Sequence, residues 1–283
     1  MPESATEPAR ATGAPGQVAL FLVATQFLTR VPVPSAGNFQ ARWLSASLRF
    51  FPVVGGLVGL ANVTVWWLAS HCFPRPIAVG LMLAASLLIT GAFHEDGFAD
   101  TCDGLGGGNS RERALAIMQD SRIGAFGAIG LIVLIGLKWS ALVALPSAAF
   151  WVIVVAAHVV SRWCSMGLIW ALQYARAEGA GKSREFDGGL TGAQWLLSGV
   201  IGMTTVAIPM IWQGVAMRNA IAAAAVAGFG AAAITAFVAA VYCKQRIGGY
   251  TGDCLGAVQQ ASELMFLLGA LAILRAAMPG ATP

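Results

Sequence analysis

Seven apolar runs divide the sequence, and each is long enough to cross a lipid bilayer. A helix needs about 20 apolar residues to span the hydrocarbon core, and it satisfies its own backbone hydrogen bonds there. We therefore predict an all-α fold, a polytopic transmembrane helix bundle. The predicted spans are residues 50–70, 77–93, 124–145, 148–172, 194–216, 220–242 and 255–278.

An eighth apolar segment, Val18–Leu28, is too short to cross the membrane alone. It must either extend at both ends or lie in the membrane interface as an amphipathic helix, so we expect seven or eight spans. The preceding residues are rich in Pro, Ala and Thr, and they lack the pattern of a signal peptide. We expect a disordered tail at 1–16 and a single integral membrane domain at 17–279.

The scarcity of charge excludes a soluble enzyme. Asp, Glu, Lys and Arg make up 11% of the chain, against about 25% in typical soluble domains. The net charge of +4 is scattered, and no dense basic cluster with interleaved aromatic residues is present. We therefore expect a lipid bilayer around the protein and no nucleic-acid partner.

The basic residues are distributed unequally between alternating loops. One side of the predicted bundle carries eleven of them, and by the positive-inside rule this side is cytoplasmic. The long polar loops lie on the same side, so we expect the active-site loops in the cytoplasm. The eleven are Arg30, Arg42, Arg49, Arg111, Arg113, Arg122, Arg176, Lys182, Arg184, Lys244 and Arg246, against Arg10, Arg75, Arg218 and Arg275 on the other side.

Acidic residues are concentrated between the second and third predicted spans. Asp96, Asp100 and Asp103 are spaced i, i+4 and i+7, which places three carboxylates on one helical face. Like charges repel there unless a cation lies between them, and Mg²⁺ binds through one or two carboxylates together with water and substrate phosphates. We predict a Mg²⁺–pyrophosphate site with these three aspartates and the adjacent Glu95 as ligands. A solvated acidic loop is the structural alternative.

Basic residues close to the aspartates fit a phosphate-containing substrate. The guanidinium groups of Arg111, Arg113 and Arg122 can each pair with two phosphate oxygens. For Arg122 the alternative is an ion pair with Asp120. Arg30 either adds another substrate-binding cation or anchors the chain at the membrane interface.

Three further polar residues stand close to or within the apolar runs. His94 is a candidate general base beside the aspartates, or only a hydrogen-bonding neighbour. Arg162 lies ~15 Å inside its helix, where it can reach a phosphate or pair with Glu263. Asp253, at the start of the last span, is either a substrate or metal ligand or a helix N-cap.

Four motifs occur in an order that resembles a known family, the cobalamin synthases (adenosylcobinamide-GDP ribazoletransferases). The resemblance covers about residues 20 to 270, and the departures at Phe98 and Cys102 remove no predicted ligand. The motifs are His94-Glu95-Asp96-Gly97-Phe98-Ala99-Asp100-Thr101-Cys102-Asp103-Gly104, Ile117-Met118-Gln119-Asp120-Ser121-Arg122-Ile123-Gly124, Arg30-Val31-Pro32-Val33-Pro34 and Gly252-Asp253-Cys254-Leu255-Gly256-Ala257.

The resemblance implies a Mg²⁺-dependent transferase of the bacterial inner membrane, acting late in vitamin B12 biosynthesis. Its substrates would be adenosylcobinamide-GDP and α-ribazole or α-ribazole 5′-phosphate, and GMP would leave. In such an enzyme Asp120 or His94 would take the proton of the attacking hydroxyl, and Asp253 would complete the metal site or orient a substrate. The Mg²⁺ ligands would be Asp96, Asp100 and Asp103, and the phosphate-binding residues Arg111, Arg113 and Arg122.

Other functions fit parts of the sequence. A CDP-alcohol phosphotransferase also uses aspartates in a membrane helix, but its Ala-Arg after Asp-Gly and its later aspartate pair are absent. An intramembrane prenyltransferase would carry two aspartate clusters, and here the second has only Asp253. A transporter could use buried Lys138, Arg162 and Glu263 as a substrate path, yet no internal repeat is present.

The oligomeric state is open, and a homo-oligomer is possible. Gly55, Gly56 and Gly59 form a face of small residues on the first long run. Such faces allow helices to approach closely within one chain or between two chains.

Overall fold

A computed structural model describes residues 15–34, 40–175, 189–210 and 215–277, and within these ranges the chain is helical and has no β-strand. The predicted all-α class is confirmed. The helices are α1 (Gln17–Leu28), α2 (Ala41–Ser47), α3 (Phe51–Ser70), α4 (Arg75–Thr90), α5 (Phe93–Gly107), α6 (Arg111–Met118), α7 (Ala125–Ala144), α8 (Ser147–Ala171), α9 (Gly192–Met210), α10 (Val215–Ile247) and α11 (Gly252–Ala277).

Some predictions fall outside the described residues. Residues 1–14, most of the predicted disordered tail, are among them. So are Arg176, Lys182 and Arg184, which contribute to the predicted cytoplasmic charge.

The predicted number of seven or eight spans is only approximate. In the described ranges, five helices are long and apolar enough to cross a membrane, or six if α4 and α5 count as one bent span. The predicted run 194–216 corresponds to α9, which is not among the five, and residues 211–214 lie outside the described part. The five are Arg42–Ser70, Ala125–Ala144, Ser147–Ala171, Met217–Ile247 and Gly252–Ala277.

Helix α1, the candidate for an eighth span, is too short to cross the membrane. Helix α1 has 12 residues, which extend about 18 Å at 1.5 Å per residue, whereas the hydrocarbon core is about 30 Å thick. It ends at Thr29, whose backbone turns to an extended conformation. Extension at both ends, one of the two alternatives for this segment, is therefore not found.

Helix α8 lies at the centre of the bundle. In its central stretch 89% of the residues are buried, compared with 28% in α7 and in α10. A helix that is apolar on all sides must be surrounded by protein or by lipid, and α8 packs against α3, α9, α10 and α11. Helices α7 and α10 instead expose large apolar side chains such as Ile132 and Phe237, which suits contact with lipid.

The small-residue face of α3 packs inside the chain. A Cβ atom on Gly56 would lie 2.7 Å from Oγ1 of Thr205, and one on Gly59 would lie 3.0 Å from Cα of Val155. A Cβ atom on Gly55 would lie closer still to the side chain of Arg162. These glycines allow α3 to approach α8 and α9, so the intrachain alternative explains this face.

Candidate functional site

The acidic segment forms a helix of its own because the chain bends sharply before it. Helices α4 and α5 meet at 89°, and the bend is made by Gly91 and Ala92, whose φ angles are 67° and 55°. Glycine adopts positive φ readily, whereas alanine rarely does. The predicted span 77–93 therefore ends at Thr90, and α5 starts in a new direction with the acidic motif.

The three aspartates of α5 share a face but have different surroundings. Asp96 is exposed and Asp100, one turn later, is half-buried. Asp103 is 7% exposed, and its carboxylate accepts hydrogen bonds from the backbone N–H groups of Gly124 at 2.7 Å and Gly127 at 2.8 Å. Asp103 thus binds the first turn of α7, where a carboxylate stabilises the unpaired N–H groups and the helix dipole.

The backbone at Asp253 packs closely against the acidic helix. A Cβ atom on Gly97 would lie 2.9 Å from the backbone oxygen of Asp253. The start of α11 therefore packs directly against α5 at Gly97, the residue that follows Asp96. The N-cap of α11 is Thr251, whose Oγ1 accepts from the N–H of Cys254 at 3.3 Å. The N-cap alternative for Asp253 is therefore not found.

The acidic residues have the donor chemistry that Mg²⁺ requires. Within the described ranges, no group of three or more His, Cys, Asp or Glu side chains is arranged to hold a metal ion. Mg²⁺ needs only one or two protein carboxylates when substrate phosphates and water complete its octahedral shell. Asp96 and Asp100, which are not fully buried and lie one turn apart, fit this mode of binding better than Asp103 does.

The loop between α6 and α7 contains an exposed ion pair. The Nη2 atom of Arg122 lies 2.6 Å from Oδ2 of Asp120, and its Nε also donates to this carboxylate. The side-chain hydrogen bond from Arg122 lowers the pKa of Asp120 to about 2, and the same contact raises the pKa of Arg122. The ion-pair alternative for Arg122 is thus the one that the structure contains.

Two arginines on the same side bind backbone carbonyl groups. Arg111 donates to the carbonyl oxygens of Ile247 at 2.9 Å and Ala175 at 2.6 Å, which links α6 to the end of α10. Arg246 donates to the carbonyl of Gly108 at 2.6 Å and caps α5. This role of Arg246 was not predicted from the sequence, although a basic residue is a common partner for the last carbonyls of a helix.

Arg30 and Arg113 are both exposed on this side. The backbone N–H of Arg30 donates to the carbonyl of Ile89 at 2.7 Å, and its side chain lies over Gly91. This contact places a guanidinium at the bend from which α5 starts. Arg113 lies on α6, where its backbone N–H donates to the N-cap Ser110.

The bundle interior contains a set of charged and amide side chains that we call the interior network. Arg162 and Lys138 both pair with Glu263, at Nη1–Oε2 and Nζ–Oε1 distances of 3.2 Å and 2.7 Å. The structural alternative for Arg162, pairing with Glu263, is therefore found. The members of the network are Asn62, Glu95, Lys138, His158, Arg162, Gln259, Gln260 and Glu263.

Glu95 and His94 face this interior. Glu95 is 9% exposed, and its Oε1 accepts from Nε2 of Gln260 at 2.8 Å. His94 is 4% exposed, and its Nδ1 has no hydrogen-bond partner among the described residues. Neither side chain lies with Asp96 and Asp100 on the accessible face of α5. Gln260, which connects Glu95 to the rest of the network, was not singled out from the sequence.

The sequence matches a known protein family over most of its length. The sequence profile described as cobalamin-5-phosphate synthase matches residues 20–271. This chain belongs to the cobalamin-5-phosphate synthase family. The matched residues include all four motifs and every predicted site residue, so the resemblance seen in the motifs is confirmed.

Several curated relatives named adenosylcobinamide-GDP ribazoletransferase match almost the whole chain. The Leptothrix cholodnii relative is 44% identical over 256 residues, which are 89% of this chain and 95% of the relative. The Ralstonia nicotianae relative is 43% identical, covering 87% and 92% of the two chains. The Vibrio parahaemolyticus relative is 38% identical, covering 90% and 93%. No solved structure gives a significant match to this member of the family.

Proposed function

We propose that this protein is an adenosylcobinamide-GDP ribazoletransferase. It transfers adenosylcobinamide phosphate from adenosylcobinamide-GDP to α-ribazole or α-ribazole 5′-phosphate, and GMP leaves. The observation that supports this most directly is the approach of α11 to α5, which places the backbone of Asp253 against Gly97, a residue of the aspartate motif. Relatives with this activity in their names cover more than nine-tenths of their own length in the match.

Asp96 and Asp100 would hold Mg²⁺ together with the pyrophosphate of the substrate, and Asp253 would orient a substrate beside them. A bound Mg²⁺ neutralises charge on the phosphates and stabilises the leaving GMP. Asp103, which was also predicted as a ligand, fixes the start of α7 instead. It therefore contributes by holding α7 against the acidic helix.

The exposed guanidinium groups of Arg30 and Arg113 would contact the substrate phosphates. Arg111 already donates to two backbone carbonyls, so its contribution is the position of α6. Arg122 is paired with Asp120, and this pair shapes the loop that leads into α7. Arg162 is buried in the interior network and does not reach the accessible face of α5.

We infer that a protein base contributes little to the reaction. Asp120 is already bonded to Arg122, which makes it a weak proton acceptor at neutral pH. The His94 ring lies inside the bundle. Phosphoryl transfer needs mainly positioning and charge stabilisation, which Asp96, Asp100 and the nearby arginines can supply.

The site would face the cytoplasm of a bacterial inner membrane. Its support is the charge distribution of the sequence, in which the loops around the site carry most of the basic residues. The substrates are bulky and charged, and a cytoplasmic site gives them access without crossing the membrane.

The direct test is single-turnover product analysis of the purified protein in liposomes. Adenosylcobinamide-GDP and α-ribazole are supplied with and without Mg²⁺, and GMP and the cobalamin product are measured. We expect both products to appear together and only with Mg²⁺. Absence of both from a folded preparation would contradict the proposal and would make CDP-alcohol donors the next substrates to test.

The variant Asp100→Asn tests the metal site. We expect turnover to fall by about 100-fold or more, because an electrostatic contact made in the transition state is lost. Glu112→Gln is the matched control, since Glu112 is an exposed carboxylate on α6 and removing an exposed charge has little effect. Wild-type turnover and unchanged Mg²⁺ dependence in Asp100→Asn would show that the metal assignment is wrong.

A further inference from the structure

Two buried hydrogen bonds between three side chains connect the acidic helix to the interior of the bundle. Nε2 of Gln260 donates to Oε1 of Glu95 at 2.8 Å, and Nζ of Lys138 donates to Oε1 of Gln260 at 2.9 Å. All three residues are less than a tenth exposed. The amide of Gln260 therefore bridges a carboxylate on α5 and an ammonium on α7.

The charges of the interior network balance only if Glu95 is counted. Lys138 and Arg162 carry two positive charges, and Glu263 supplies one negative charge. Nη1 of Arg162 lies 2.8 Å from Nδ1 of His158, so that nitrogen acts as acceptor and the imidazole adds no charge. Glu95 supplies the second negative charge, and Arg162 also interacts with it electrostatically.

The position of Glu95 on the helix links this balance to the site. Successive residues of an α-helix are about 100° apart around its axis. When Glu95 points into the bundle, Asp96 is turned out of it, and Asp100 follows one turn later. The accessibility of these residues agrees, because Glu95 is buried whereas Asp96 is exposed.

We propose that Glu95 is a positioning residue that sets the rotation of α5, through Gln260 and Lys138, so that Asp96 and Asp100 are presented to the substrate. This deepens the proposed function and rests on it. Glu95 is then not a Mg²⁺ ligand, although it neighbours the aspartates in the motif. Its negative charge is needed inside the protein, where an uncompensated cation is costly.

A charge swap between Glu95 and Gln260 tests the proposal. In the double variant E95Q/Q260E, the new carboxylate at 260 can accept from Lys138, and the new amide at 95 can donate to that carboxylate. The hydrogen bonds and the net charge of the network are kept. The single variant E95Q removes one negative charge, and the single variant Q260E places two carboxylates side by side.

The measurements are turnover, the Mg²⁺ concentration for half-maximal rate, and the melting temperature of the full-length protein in nanodiscs. We expect E95Q to lower turnover by about 10- to 100-fold, as for residues that orient metal ligands. The half-maximal Mg²⁺ concentration should rise in E95Q, because misplaced carboxylates bind the ion less tightly. The double variant should restore the turnover, the Mg²⁺ requirement and the melting temperature, although its residue 95 is an amide. A double variant that regains the melting temperature but keeps the turnover and the Mg²⁺ requirement of E95Q would overturn the proposal, because the carboxylate at position 95 would then be needed for itself.

A labelling experiment reports on the rotation of α5 without using activity. The reporter is D96C, in a background where the exposed Cys72 is replaced by Ser, and a charged maleimide measures its accessibility. We expect E95Q to change the labelling rate of D96C at least threefold and the swap to restore it. The reporter E112C on α6 is the control and should not change. An unchanged D96C rate in E95Q contradicts the positioning role, whereas a wild-type protein without transferase activity contradicts the proposed function.

Discussion

Residues on one helical face can have different functions. Asp96, Asp100 and Asp103 follow a spacing that places them together, and on that basis all three were predicted as Mg²⁺ ligands. The structure distinguishes them, because Asp103 binds two backbone N–H groups of α7 whereas Asp96 is exposed. The spacing determines the face of a helix, and the neighbouring segment determines which member of that face is already bonded.

The Asp120–Arg122 pair leads to a prediction about pH. The contact lowers the pKa of Asp120 from 3.8 to about 2, so the ion pair is complete above about pH 4 and is lost only as the pH falls through 2. The variant D120N should therefore leave the acid limb of the pH–rate profile unchanged between pH 5 and 8. The measurement is turnover against pH for the wild type and D120N. A shift of the acid limb in D120N would show that Asp120 is a catalytic base.

At the scale of elements, the site depends on how closely two helices approach. Helix α11 meets α5 at Gly97 on one side of the contact and at Gly256 on the other, where a Cβ atom would lie 3.0 Å from the backbone oxygen of His94. Small residues at such positions let membrane helices pack by their backbones. The same contact places Asp253 beside the acidic helix, so packing and function share one interface.

Replacing Gly97 by Ala should separate α5 from α11. The new Cβ would lie within 3.0 Å of backbone atoms of Asp253, and backbone cannot move aside as a flexible side chain can. We expect a loss of stability of about 1–3 kcal/mol and a large fall in turnover. G136A on α7 is the matched control, because apart from the neighbouring backbone of its own helix no atom lies within 4 Å of its Cβ position. Unfolding in denaturant and turnover are measured for both variants. If G97A were as stable and as active as G136A, the proposed contact would be contradicted.

At the scale of the whole molecule, the connections divide between two ends of the bundle. At the end that carries the site, hydrogen bonds join the segments that follow α8 and α10. The backbone N–H of Tyr250 donates to the carbonyl of Gln173 at 3.0 Å, and the side chain of Arg111 donates to the carbonyls of Ile247 and Ala175. At the other end, Arg75 donates to Ser147 at 2.8 Å and ties α4 to the start of α8. The site is thus assembled at one end, around the central α8.

The orientation of this end in the membrane can be measured with single cysteines. We expect E112C on α6 to react with an impermeant maleimide only after the membrane is permeabilised, because it lies on the basic side of the bundle. R218C, on the first turn of α10 at the other end, should react in intact spheroplasts. Both residues are exposed, so access to the side chain does not differ between them. The opposite pattern would place the site outside the cytoplasm.

The sequence by itself determined the class of the protein and its family. Apolar runs predicted a membrane helix bundle, and four motifs identified the family, because hydropathy and residue order are properties of the chain alone. Only the tertiary structure decided that Arg162 pairs with Glu263, that Glu95 faces Gln260, and that the second predicted span bends at Gly91. These outcomes depend on the rotation and crossing of helices far apart in sequence. A buried charge pairs with the opposite charge that helix packing places next to it, and the periodicity of the sequence does not identify that partner.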